Sequence, residues 1–147
     1  MRPIHHGKRD GVAVQVSACS EETDMTFKVM AFVMTFAGCL LGLRFLFAGG
    51  SVLQEWGIEV TAGSLIVARR IGAIYLGVAL MFFLGRAAAP SELRSAVCLV
   101  TGGASALLAC LGFFEFMSQR VSAGIFRSVV AEAVLAAGFV WVWWSGR

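Results

Sequence analysis

The sequence predicts an all-α polytopic membrane protein, a bundle of four transmembrane helices with both termini on the cytoplasmic side (N-in/C-in). Three observations point there. Of 147 residues, 59% are hydrophobic and 14% charged, more apolar surface than a soluble core of that size can hide. The apolar residues gather into four runs of about twenty, the length a helix needs to cross ~30 Å of hydrocarbon. None of the runs alternates in polarity as barrel strands do.

Residues 1–24 carry charge and hydroxyls with no apolar run long enough to insert, so they read as a flexible cytoplasmic tail ahead of a membrane domain at 25–147. Translation from Met25 is the alternative reading of that boundary. The following stretch, MTFKVMAFVMTFAGCLLG, has the basic flank and small residues before Cys39 of a lipoprotein signal. Phe36 and the apolar continuation LLGLRFLFAG fit a first spanning helix better, at about 28–48.

Gly49, Gly50 and Ser51 close that helix. Between Gly49 and Gly63, Leu53, Trp56, Ile58 and Val60 alternate with polar residues, which predicts an interfacial hairpin or a short amphipathic helix. The second helix is expected at about 64–85, and Ala-Pro-Ser at 89–91 separates it from a third at about 95–117. Ser122 and Gly124 precede the fourth, at about 125–144. No soluble domain fits in the remainder, and no internal repeat is visible.

Lys and Arg are retained on the cytoplasmic side during insertion, so their placement orients the chain. With the N-terminus inside, Arg2, Lys8, Arg9, Lys28, Arg86, Arg94 and Arg147 are cytoplasmic, and Arg44, Arg69, Arg70, Arg120 and Arg127 fall outside. Trp141, Trp143 and Trp144 then lie at the inner interface, where indole rings anchor.

Arg69 and Arg70 are the unusual residues. The second helix reaches spanning length only if it starts near Ser64, which sets both arginines more than a turn inside the membrane. At ~1.5 Å per residue from the cytoplasmic ends, Arg70 and Arg44 stand about 24 Å up, Glu132 about 19 Å and Glu115 about 30 Å. Three arginines and two glutamates thus share the outer half of one bundle. Either they snorkel to the interface, or Arg44, Arg69 or Arg70 pairs with Glu115 and Glu132 in a buried charge cluster that could double as a ligand site. Arg69 shares a helical stripe with Gly72, Ala73, Leu76 and Gly77, and Glu132 aligns with Ser128 and Ala136. Gly38 and Gly42 form a GxxxG pair, and with Gly72 and Gly77 they are the expected helix-packing positions, within the chain or against a second copy.

Other chemistry has little support. Cys19, Cys39, Cys98 and Cys110 show no CxxC or metal-ligand spacing, and the two histidines, His5 and His6, sit in the tail, so no metal site, haem or catalytic residue is expected. No phosphate-binding glycine loop, Ser-His-Asp set or HExxH occurs. The net charge of +3 belongs to loops flanking a membrane, so the bilayer is the expected partner and nucleic acid is not.

The stretch ARRIGAIYLGVALMFFLGR, the polar loop and Gly/Ala-rich helix after it, and then VVAEAVLAAGFVWVWW resemble the DoxX-like group of small four-helix bacterial membrane proteins, over roughly residues 29–145. The resemblance implies an inner-membrane location, a basic residue entering the second helix (Arg69 or Arg70) and an acidic one in the fourth (Glu132). It includes branches of unknown function and relatives associated with quinone-linked oxidation of sulfur compounds or redox-stress assemblies. The leading expectation is a non-enzymatic membrane protein that assembles with a partner or with itself. One alternative is a membrane subunit of an oxidoreductase, with a quinone head group or small anion at the outer cluster as its ligand. The other is a small proton-coupled exporter using Glu132.

Overall fold

The computed structural model describes the backbone of residues 7–146 and the side chains of 24–146. It is all-helical, and four of its helices are long and apolar enough to cross a membrane, which makes the chain a multi-pass membrane protein. Helix α1 spans Gly7–Glu55, α2 Ala62–Gly85, α3 Glu92–Met117 and α4 Phe126–Ser145, the last preceded by a 3-10 turn at Ala123–Ile125. The helix backbone of α1 thus continues back to Gly7, where composition predicted a tail. No proline interrupts the chain between Pro3 and Pro90, so nothing there forces the helix to stop. Residues 1–6 of the expected tail, with His5 and His6, lie outside the described residues.

Helix ends follow local chemistry. Ala48 leaves helical geometry (φ −127°, ψ 28°) just before Gly49-Gly50, and the Ser51 hydroxyl donates to the Ala48 carbonyl at 2.8 Å, so α1 kinks and resumes for its last turns. Of the four alternating apolar residues that final piece holds only Leu53; Trp56, Ile58 and Val60 follow in the connection to α2. The piece closes on Gly57 (φ +77°), with Ile58 N–H donating to the Leu53 carbonyl and Gly57 N–H to that of Gln54, a Schellman arrangement whose left-handed residue favours glycine. Thr61 and Ser64 cap the start of α2 reciprocally, and the Ser91 hydroxyl, directly after Pro90, accepts from Arg94 N–H to start α3. At ~1.5 Å per residue α2, α3 and α4 measure roughly 36, 39 and 30 Å, each enough for the hydrocarbon core.

The helices pack as two hairpins. α1 lies along α2 and α3 along α4, and α1 against α4 is the main helix contact between the pairs. Gly38, Gly42 and Gly72 let α1 and α2 meet backbone to backbone: a Cβ at Gly72 would stand 2.7 Å from the Gly42 carbonyl, and one at Gly42 would stand 2.9 Å from the Gly72 carbonyl. At the end holding the α2–α3 loop, Phe27, Ala31, Met34, Phe82, Cys98, Phe139 and Val142 bring all four helices into one core. At the other end Phe45, Val52, Leu53 and Ala68 make a separate core from α1 and α2 alone, with Phe45 packed between Trp56 and Tyr75.

Candidate functional site

Antiparallel helices bring their charged ends together in pairs. Glu55, at the end of α1, receives Arg44 from about three turns back on its own helix, together with Arg127 from the first turn of α4 at 2.7 Å. The same meeting point is tied by backbone. Ser122 donates its amide to the Trp56 carbonyl at 2.7 Å and its hydroxyl to the Glu55 carbonyl. Gly124 passes so close that any Cβ there would collide with that carbonyl. The α1–α2 connection and the α3–α4 loop are thereby clipped together.

A second charged lock closes the opposite end. Arg94, in the first turn of α3, has a side chain 6% exposed; it pairs with Asp24 of α1, donates to the Ala88 carbonyl at 3.2 Å and lies with its guanidinium 4.0 Å from the centre of the Phe27 ring. Lys28, one turn beyond Asp24, stands 3.9 Å from the same carboxylate. A charge so enclosed needs both an opposite charge and hydrogen bonds, and the cation–π contact adds a third attraction. Beside it a cavity of about 200 Å³ is lined by Ser91, Arg94, Ser95, Cys98, Val142 and Trp143.

Against these two locks, the five residues expected to form one cluster are dispersed. Arg44 pairs with Glu55, and Glu115 with Arg120 at 3.4 Å, not with each other. Arg69 and Arg70 are exposed and make no ion pair among the described residues. Glu132 is half-buried and makes no ion pair among the described residues. Helix phase explains the dispersal. At about 100° per residue, Ala68, Tyr75, Ala79 and Phe82 set the buried arc of α2 towards its neighbours, which puts Arg69 on the flank and Arg70 near the opposite side. On α4, Glu132 falls inside the arc of Ile125, Ala136 and Phe139. The acid turns in while the two arginines turn out.

The glycines divide likewise. Gly38, Gly42 and Gly72 are at the α1–α2 contact, whereas among the described residues a Cβ at Gly77 would meet nothing within 4 Å. Arg94, Glu55, Arg127 and Ser122 were missed by sequence reasoning because each stands at a helix end or in a loop, where charge reads as solvated, and Asp24 because it falls in the stretch read as a tail. The usable signal was topological: in an up-and-down chain the end of α1 and the start of α4 share one face of the membrane. Among the described residues no three His, Cys, Asp or Glu side chains stand together as metal ligands. No family model, curated protein or solved structure matches the chain.

Proposed function

We propose that this chain is a non-catalytic component of the bacterial inner membrane, N- and C-termini inside, that works by holding another protein's spanning segment against the outer face of α2. The observation carrying this is the composition of that face. Arg70, Ala73 and Gly77 share the arc opposite α1, with Arg69 on its flank, and all four are exposed. The arginines stand seven and eight residues into α2, roughly 10–12 Å from its start. Small residues there permit close approach, and two guanidinium groups at that depth favour a segment that brings a carboxylate. The lysine and arginine distribution supports the orientation.

Placing a photoactivatable side chain at Ile74, which borders this face, and another at Val100 on α3 tests the reading in native membranes. Ile74 is expected to capture a protein of defined mass, and Val100, which is 70% exposed, only lipid. Capture at Ile74 should fall in the Arg69→Gln/Arg70→Gln double variant. Equal products at both positions, or capture that ignores the arginines, would refute the assignment.

A further inference from the structure

The two hairpins are joined differently at their two ends. At the end holding the α2–α3 loop, Phe82 of α2 meets Phe139 of α4 at 5.3 Å between ring centres, inside the core that all four helices share. Met30 of α1 fills the space beside Gly138 of α4, where a Cβ would stand 2.5 Å from the Met30 methyl carbon. The Asp24–Arg94 pair closes that end with an arginine side chain 6% exposed.

At the other end each hairpin keeps a core of its own: Phe45, Val52, Leu53 and Ala68 belong to α1 and α2, and Phe116 of α3 packs on Phe126 beside it at 4.6 Å. The contacts that join the hairpins there are polar and exposed. Arg127, with a side chain 83% exposed, holds Glu55, and Ser122 gives its amide and its hydroxyl to the Trp56 and Glu55 carbonyls.

Parting these two ends has unequal consequences. Opening at Arg94 would break the shared core and strip a charge enclosed by protein of its partner. Opening at Glu55 breaks an exposed ion pair, which is weak and screened by salt, and hands the freed amide and carbonyls to water while both local cores stay whole. The apolar flanks uncovered between the hairpins meet lipid, which solvates them about as well as another helix does.

We propose that the hairpins are two rigid levers on the shared core, and that the contact of Glu55 with Arg127 and Ser122 is a latch. When it releases, α3–α4 swings away from α1–α2 at that end and a lateral slot opens between them, with Phe82 and Phe139 at the hinge. From Ala31 of the core to Glu55 is roughly 36 Å of helix, so a swing of a few degrees moves the latch by several ångströms. The latch works with or without a partner on α2.

Distances between spin labels built on p-acetylphenylalanine, measured by pulsed electron resonance on the full-length protein in lipid nanodiscs, test the proposal. One pair, at Glu59 and Ser118, spans the latch, and the other, at Met25 and Leu93, spans the hinge; all four positions are exposed. Glu55→Gln, and in the wild type raising the salt from about 0.05 M to about 0.5 M, should each lengthen the first distance by several ångströms and leave the second unchanged. A latch distance that is the same in Glu55→Gln and wild type, or a hinge distance that lengthens with it, would overturn the proposal. If the variant does not fold, the salt series on the wild type decides by the same two criteria.

Discussion

Replacing Gly72 and Gly77 separately by alanine isolates what holds α1 to α2. Both glycines are in the same helix, so both variants gain the same intrinsic helix preference of ~0.5–1 kcal/mol. They differ in what the new methyl meets. At Gly72 it would stand 2.7 Å from the Gly42 carbonyl oxygen, 2.9 Å from the Leu46 amide nitrogen and 3.2 Å from Phe45 Cβ; at Gly77 it meets nothing within 4 Å. The first two are backbone atoms that cannot swing aside, so the helices must part by about 0.5 Å, enough to forfeit a quarter or more of each dispersion contact along the seam. Overpacking of this kind costs ~1–3 kcal/mol. Since the helix preference cancels, Gly72→Ala should be less stable than Gly77→Ala by that amount, measured by reversible unfolding in mixed detergent micelles. Equal stability of the two variants would refute the backbone-to-backbone contact between α1 and α2.

Three further outcomes follow from the packing. Asp24→Ala should lower the unfolding midpoint by leaving the Arg94 guanidinium buried without its carboxylate, and adding Arg94→Met should recover part of the loss, because an apolar pair replaces an ion pair better than half a pair does; a double variant worse than the single would contradict the lock. Glu55→Gln, which deprives Arg44 and Arg127 of their shared partner, should speed amide hydrogen exchange around Trp56 and Ser122, whereas Glu115→Gln, whose pair with Arg120 is mostly exposed, should leave exchange there unchanged. Phe139→Ala, at a fully buried side chain against Phe82, should cost ~3 kcal/mol, near the low end for such truncations, since the exposed alternative for an apolar ring here is lipid; a loss under ~1 kcal/mol would mean that α2 and α4 do not meet there.

Spanning helices were legible because length and apolarity are summed over twenty residues, and errors at single positions average out. The starts of α2, α3 and α4 fall within three residues of expectation, and the caps at Thr61 and Ser91 are short-range signals of the same kind. Charge pairing was not legible in the same way. Depth along the membrane could be counted from the sequence, and it put Arg44, Arg70 and Glu132 at comparable heights. Azimuth could not, because it depends on which arc of α2 faces α1. That arc is set by the contact of Gly42 with Gly72, which turns Arg70 outward. Glu55 escaped notice for another reason: its role needs the kink at Ala48, which redirects the last turns of α1 towards the α3–α4 loop.

The distribution of contacts fits what a bilayer leaves available to hold helices together. Apolar side chains gain little by leaving lipid for each other, so association rests on close backbone approach and on polar contacts. Within the first hairpin the approach is made by Gly38, Gly42 and Gly72, and within the second Gly102 lies under Phe139 and Gly112 under Val129. Between the hairpins backbone approach is sparse, and the two polar locks stand at opposite ends: Asp24 with Arg94 at one, Glu55 with Arg127 and Ser122 at the other. Both locks lie at the ends of the spanning segments, where a charge that loses its partner is nearest to water and the lost pairing is least costly.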